Sequence, residues 1–337
     1  MPGEKLSVVI GMPEGYWNLF DEETTARLLD PHPNVVVETA SDPEQFFEKL
    51  PRADGAMVIR FGIPTEVRQQ GSRLRWVHSI PAGTDDLLTP ELIAAEHVAR
   101  TASKGPHAPL IAEHTVLLIL SLARDMPAMV KDQEEHRWVR DDRGNVPRVS
   151  TQMLGKTIAI LGVGQIGENL ARMCKIGFGM NVLGMSRTTR DSKHVDRYFE
   201  RSELHEALGE ADVVALCLAL TPSTRGILGK AEFEAMKPTS FLIKTARGGL
   251  IDEDASVNAM NTGMIGGTAL DTVDAEPLSE NSPLWDLPNT ILTSHIAPIT
   301  DGVGNEVGSF MIENIRRFAE NEHLLGIVHR HEGYWQY

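Results

Sequence analysis

The sequence predicts an α/β protein built from two doubly wound, parallel-sheet domains, and three observations lead there. Short apolar runs alternate with polar, helically spaced stretches along most of the chain, the pattern of strands covered by helices on both faces. One run, Thr157–Leu161, is rich in β-branched residues and opens directly into Gly162-Val163-Gly164-Gln165-Ile166-Gly167. At 337 residues the chain is long enough for two separate cores.

Taken in order, the N-terminal part offers strands at 7–10, 35–38, 55–59, 76–79 and 98–101, with helices at 21–29, 42–49, 65–70 and 90–96. Ser103-Lys104-Gly105-Pro106 breaks the pattern and reads as a hinge. A long helix follows from about Pro109 to Arg124, 126–138 continues helically with more charge, and 141–150 is a polar loop. The run Thr157–Leu161 starts a second series. A helix from Gln165 to Lys175 follows it, and strands at 181–185, 212–218, 240–244, 266–270 and 290–292 alternate with helices at 201–208, 230–236 and 253–262. After Ala297-Pro298 comes a last helix, about 302–320, with Val307, Phe310, Met311, Ile315 and Phe318 on one face. The tail 324–337 is polar and aromatic and has no assignment. A C-terminal helix of this kind can return to the first domain. The organisation expected is a domain of 1–103 plus 299–337, with a domain of 104–298 inserted in it and a cleft between them.

Composition narrows the function. A formal net charge of -15 disfavours nucleic acid and anionic membranes as partners. No apolar run approaches the length of a membrane span. Two cysteines, Cys174 and Cys217, rule out a disulfide framework and fit a reducing, cytoplasmic compartment. No metal-ligand spacing stands out.

The glycines Gly162, Gly164 and Gly167 form G-x-G-x-x-G with a strand before and a helix after, the confirming context for a Rossmann dinucleotide site. Gly162 makes the turn, Gly164 admits the pyrophosphate, Gly167 lets helix and strand pack, and the helix N-terminus faces the phosphates. Three segments end later strands: Thr245-Ala246-Arg247-Gly248-Gly249, Leu270 to Leu278, and Thr293 to Pro298. Ligands bind beyond the carboxyl ends of parallel strands, so Arg247, Glu276 and His295 should converge. An Arg grips a carboxylate, a His exchanges a proton near neutral pH, and a Glu on its other ring nitrogen orients it. That set suits hydride transfer to a 2-oxo acid. Arg60, at the end of a first-domain strand, is a candidate for the substrate carboxylate.

At these residues the sequence resembles the D-isomer-specific 2-hydroxyacid dehydrogenases over nearly its whole length. The resemblance runs through Ala82-Gly83-Thr84-Asp85, Ala112-Glu113-His114, the glycine turn, Leu220 to Gly226, Lys237-Pro238, the Thr-Ala-Arg-Gly-Gly run, Ala269-Leu270-Asp271, Glu276-Pro277-Leu278 and Ser294-His295-Ile296. It implies that Arg247 binds and polarises substrate, Glu276 pairs with His295, and His295 is the acid/base. Ala82 and Gly83 would hold the substrate carboxylate through their backbone. Asp271 would hold the nicotinamide end, and Gln165, Ile166, Thr188, Leu218, Thr221, Thr245, Ala246 and His295 would also line the cofactor. The flavodoxin-like first domain would bind substrate, and the protein would be a homodimer. Trp138 lies where some relatives send an aromatic into the neighbouring subunit, though packing is its simpler fate; His107, His114, His329 and His331 read as satisfied core or surface histidines. His295 is followed by Ile-Ala-Pro where Ile-Gly-Ser is commoner, which implies a stiffer loop.

NAD enzymes place an acid at the end of the second strand for the ribose hydroxyls. Here that strand ends in Ser186-Arg187-Thr188-Thr189-Arg190, which can pair with a 2′-phosphate and does not repel it. NADP is therefore expected, with NAD the alternative. The expected reaction is NADP-dependent reduction of a small 2-oxo acid such as glyoxylate or hydroxypyruvate. A formate dehydrogenase is disfavoured, since that branch has Gln where Glu276 stands. A dinucleotide-sensing, corepressor-like binding protein is the alternative of another class.

Overall fold

The computed structural model describes residues 5–59, 61–62, 73–84, 87, 92, 94–139, 150–187 and 192–328. They fall into two compact units, Met1–His107 with Ile299–Tyr337, and Ala108–Pro298.

In the first unit, β1 (Leu6–Gly11), β2 (Val35–Ala40), β3 (Gly55–Val58), β4 (Trp76–Ser79) and β5 (Ala99–Ala102) form one parallel sheet in the order β2-β1-β3-β4-β5. This is the flavodoxin-like order. The central strands β3 and β4 are buried at every position; β3 is apolar throughout, while in β4 the buried His78 and Ser79 bond to Thr101, Ser103 and the Gly83 carbonyl. Asp21 and Asp42 start the helices Glu22–Leu29 and Pro43–Lys49 by accepting hydrogen bonds from Thr24 N and Gln45 N. The last helix, Val303–Ala319, packs on Glu22–Leu29. A Cβ on Gly304 would lie 1.6 Å from the Leu19 carbonyl oxygen, so only glycine allows that approach. The unassigned tail then finds a place as far as Val328. Ile327 bridges Thr101 in antiparallel fashion, and Val328 N donates to the Arg100 carbonyl at 2.8 Å. The expected helix 65–70 lies outside the described residues, as do 90, 91 and 93 of the expected helix 90–96, of which 92 and 94 are helical.

In the second unit, β6 (Thr157–Leu161), β7 (Asn181–Met185), β8 (Arg197–Phe199), β9 (Val213–Leu216), β10 (Phe241–Lys244), β11 (Gly267–Leu270) and β12 (Thr290–Leu292) form a parallel sheet in the order β12-β11-β10-β9-β6-β7-β8. The chain starts in the middle, winds out to β8, then restarts at β9 on the other side of β6. The carboxyl ends of β6 and β9 therefore flank the topological switch point, where such sheets bind ligands. Side chains pack against both faces: Ile158 and Ile160 join Leu170, while Ala159 and Leu161 join Leu204 and Leu208. The strand β8 escaped the sequence reading because Arg197-Tyr198-Phe199 is too short to show a period.

Two further expectations change. The helix after the first unit spans Lys104–Ala123, so Ser103-Lys104-Gly105-Pro106 is a helix start and not a hinge. Pro106 sits in the first turn, where a backbone N–H has no helical acceptor. The passage between units falls at 107/108, inside this helix, and the return at 298/299. By length and composition the helix is apolar enough to cross a membrane, contrary to the expectation that no run approaches that length, but more than half of it is buried inside the protein, as in a core helix. Asp125, at φ 54, then separates it from the helix Met126–Glu134. The polar loop 141–150 lies almost wholly outside the described residues.

Candidate active site

The glycine turn joins β6 to the helix Gln165–Arg172, and each glycine has its own reason. Gly162 sits at φ +104, and a Cβ there would come within 2.8 Å of the backbone at Cys217 and Leu218. On Gly167 a Cβ would be 2.3 Å from the Gly162 carbonyl oxygen. Gly164 is different: beyond its own chain neighbours and helix backbone, no described residue lies within 4 Å of the Cβ position. It is the N-cap of a helix that no side chain caps. Gln165 Oε1 nearby is buried with no hydrogen-bond partner among the described residues. Open space and an uncapped helix start with Ile166 in its first turn fit a bound pyrophosphate. Gly164→Ala should therefore leave thermal stability nearly unchanged yet weaken NADPH binding by about ten-fold or more, roughly 1.4 kcal/mol. Gly167→Ala should instead destabilise the fold by about 1–3 kcal/mol, as overpacking does. Thermal melts and fluorescence titration of NADPH check both; equal behaviour of the two variants would contradict this division.

Gly162 N and Val163 N both donate to the Met185 carbonyl, at 3.0 and 2.9 Å, which ties the turn to the end of β7. Ser186, half-buried, and Arg187, exposed, follow at once, and neither is acidic. Thr188 lies outside the described residues. The chain beyond is fastened back by Glu168 Oε1, which takes Ser192 Oγ at 2.8 Å and His194 Nδ1 at 2.9 Å. After β9, Leu218 leads into a turn in which Thr224 Oγ1 donates to the Ala219 carbonyl and accepts from Thr221 N. Cys174 is enclosed, and burial pushes its thiol up to about 12, so it packs as a small apolar residue.

The catalytic candidates follow three neighbouring strands, β10, β11 and β12, at the same edge of the sheet. His295 Nδ1 lies 2.6 Å from Glu276 Oε2, and Glu276 Oε1 accepts from Val273 N at 3.2 Å. With Nδ1 engaged, Nε2 is the ring nitrogen left for a substrate. His295 itself sits at φ 53, a left-handed conformation that a chain holds only when its surroundings impose it. Asp271 imposes it. Its carbonyl accepts His295 N at 2.8 Å, and its carboxylate accepts Thr293 Oγ1, Ile296 N and Ala297 N at 2.6, 3.0 and 3.1 Å. His114, read from the sequence as a bystander, belongs to this anchor: its Nε2 is 3.1 Å from Thr293 Oγ1 and 3.5 Å from Asp271 Oδ1. Only the folded chain reveals this, since the partners are far apart in sequence.

Arg247 is half-buried and its Nη1 donates to the Ala246 carbonyl at 2.8 Å. Its loop is locked to the next one. A Cβ on Gly248 would be 2.2 Å from the Val273 carbonyl oxygen, and Gly249 N donates to Asp274 Oδ1 at 2.6 Å. Thr245 is buried with its Oγ1 2.9 Å from Thr115 Oγ1. Of the substrate candidates, Arg60 lies outside the described residues. Ala82 and Gly83 follow β4 in the first unit, where Ser79 Oγ donates to the Gly83 carbonyl at 2.7 Å. Among the described residues no group of three or more His, Cys, Asp or Glu is arranged to hold a metal.

A dinucleotide turn at a switch point, with Arg, Glu and His at the neighbouring strand ends, defines an oxidoreductase that uses a nicotinamide dinucleotide. Residues 116–297 match the family model for the NAD-binding domain of D-isomer-specific 2-hydroxyacid dehydrogenases, and the chain belongs to that NAD(P)-dependent family. It is 29% identical to a D-3-phosphoglycerate dehydrogenase of Methanocaldococcus jannaschii over 91% of this chain, but spans only 57% of that relative. It is also 29% identical to a glyoxylate reductase of Pyrococcus furiosus, over 94% of this chain and 93% of the relative. Among solved structures, an NADPH-dependent glyoxylate/hydroxypyruvate reductase of Sinorhizobium meliloti in complex with NADP and sulfate superposes with a TM-score of 0.79 at 27% identity, over 97% of this chain and 100% of the other.

Proposed function

We propose that the protein reduces a small 2-oxo acid to the D-2-hydroxy acid with NADPH, glyoxylate and hydroxypyruvate being the substrates to test first. The observation that carries this reading is the Glu276–His295 pair at 2.6 Å, following strands next to the one that leads to Arg247. When bound, NADPH supplies the hydride for the new C–H bond. His295 gives a proton from Nε2 to the carbonyl oxygen, and Glu276 holds the ring in place through Nδ1. Arg247 turns its guanidinium from the Ala246 carbonyl to the substrate carboxylate, and its charge polarises the adjacent C=O. Ser186 and Arg187 favour the 2′-phosphate, in keeping with the NADP named for the Sinorhizobium structure. The substrate pair is suggested by the names of that structure and the Pyrococcus relative.

A panel of 2-oxo acids assayed with NADPH tests the reading. Turnover of glyoxylate or hydroxypyruvate supports it; tight NADPH binding with no turnover of any 2-oxo acid would favour a dinucleotide-sensing protein instead. Arg247→Ala should raise KM and lower kcat together, because the residue binds ground state and transition state alike. A change confined to cofactor affinity would contradict that role.

The reading includes a reducing, cytoplasmic setting and a homodimer. Leu117, Met126, Met129, Val130 and Trp138 are exposed along and just after the helices Lys104–Ala123 and Met126–Glu134, an apolar set of the kind that partner surfaces bury. A second copy of the chain would cover it. Light scattering that returned a monomer's mass would overturn the dimer.

A further inference from the structure

His114, on the helix Lys104–Ala123, is half-buried, with Nε2 3.1 Å from Thr293 Oγ1 and 3.5 Å from Asp271 Oδ1. The direction of these bonds follows from Asp271. A carboxylate accepts and does not donate, so the one hydroxyl hydrogen of Thr293 goes to Asp271 Oδ1, at 2.6 Å. Thr293 Oγ1 is then the acceptor toward His114, which must carry a hydrogen on Nε2. The relay runs one way, from His114 to Thr293 to Asp271. Asp271 is 2 % exposed, so each donor that meets its carboxylate offsets a burial cost. Those donors bracket His295: Thr293 stands before it, and Ile296 and Ala297 give their N–H groups after it. The His295 N–H in turn donates to the Asp271 and Thr293 carbonyls, at 2.8 and 3.0 Å. The left-handed residue that bears the ring is thus tied to the two residues on which the relay ends.

We infer that His114 is a positioning residue for His295: through Thr293 and Asp271 it fixes the backbone from which the ring meets the substrate. This rests on the role proposed above for His295. Glu276 orients the ring and the His114 relay orients the backbone that carries it, two separate constraints on one proton donor. A general acid must lie within hydrogen-bond reach of the oxygen it protonates, and a displacement of about 1 Å can cost 10²-fold in rate.

The test compares His114→Leu, which removes the donor, with His114→Gln, whose amide N–H can take the place of Nε2–H. In the Leu variant kcat for 2-oxo acid reduction should fall about ten- to a hundred-fold. KM for the 2-oxo acid and NADPH affinity should stay near wild type, since Arg247 and the glycine turn follow other strands. The Gln variant should recover most of kcat. Wild-type kcat in a folded Leu variant, or an equal loss in the Gln variant, would overturn the inference. Thr293→Val breaks the same relay and should cost as much, and the double variant with His114→Leu should lose no more than either alone. Additive losses would also overturn it. Should His114→Leu fail to fold, Thr293→Val against Thr293→Ser carries the same comparison. Amide hydrogen exchange needs no turnover: at Ile296 and Ala297 it should quicken about ten-fold in the Leu variant and stay unchanged in β6. Unchanged exchange at both amides would contradict the hold of His114 on this loop. Wild-type inactivity toward all 2-oxo acids would defeat the proposed function, while the exchange measurement still decides on His114.

Discussion

His295→Asn is expected to lower the rate of 2-oxo acid reduction by about 10²–10⁴-fold, the usual contribution of a positioned general acid. NADPH affinity should be nearly unchanged, since the glycine turn belongs to a different strand end. Asn is the better probe than Ala for a structural reason. Position 295 has φ 53, a region that Asn tolerates and Ala does not, so the backbone bonds to Asp271 can survive the substitution. The melting temperature should change little, because His295 and Glu276 are 40% and 37% exposed and such pairs contribute little to stability. Turnover at saturating substrate, fluorescence titration of NADPH and a thermal melt give the three readouts. Wild-type turnover in this variant would remove His295 from the acid's role and leave the Arg247 loop to be reconsidered.

The wild-type protein should use NADPH about ten- to a hundred-fold better than NADH, and Ser186→Asp with Arg187→Ala should reverse that preference. A charge-assisted hydrogen bond to a phosphate contributes roughly 1.5–3 kcal/mol, which sets this range. The position is fixed by the fold: Gly162 and Val163 both bond the Met185 carbonyl, so residues 186 and 187 leave the sheet beside the pyrophosphate turn. A carboxylate at 186 would bond a bare ribose diol and repel a 2′-phosphate, while losing Arg187 removes the phosphate's partner. The measurement is kcat/KM for both cofactors at one substrate concentration, in both proteins. Equal efficiency with the two cofactors in the wild type would show that Arg187 is an ordinary surface charge.

The strands that bear the site were readable because parallel strands buried on both faces are unbroken apolar runs. The boundaries of β6 and β7 match their runs residue for residue, and so do those of the half-buried edge strand β12. The glycine turn was readable for a related reason, since each of its glycines answers a local steric demand. Where a signal was short or polar, reading failed. Arg197-Tyr198-Phe199 joins the sheet as β8 only because β7 offers an edge to pair with. The helix Lys104–Ala123 begins at a Gly-Pro pair that looks like a break, because prolines are accepted in a first turn.

By itself the sequence determined the two-sheet class, the dinucleotide turn and the Arg247, Glu276 and His295 set, since each depends on residues close together or at the end of one run. The tertiary structure alone decided what holds that set in place. Asp271 as the anchor of the His295 loop and His114 joining it from a distant helix both depend on contacts between segments far apart in sequence. A hydrophobic period records which face of an element is buried, but not which polar group meets it there. Charge and hydrogen-bond partners are chosen by three-dimensional proximity, and a sequence pattern carries no measure of that distance.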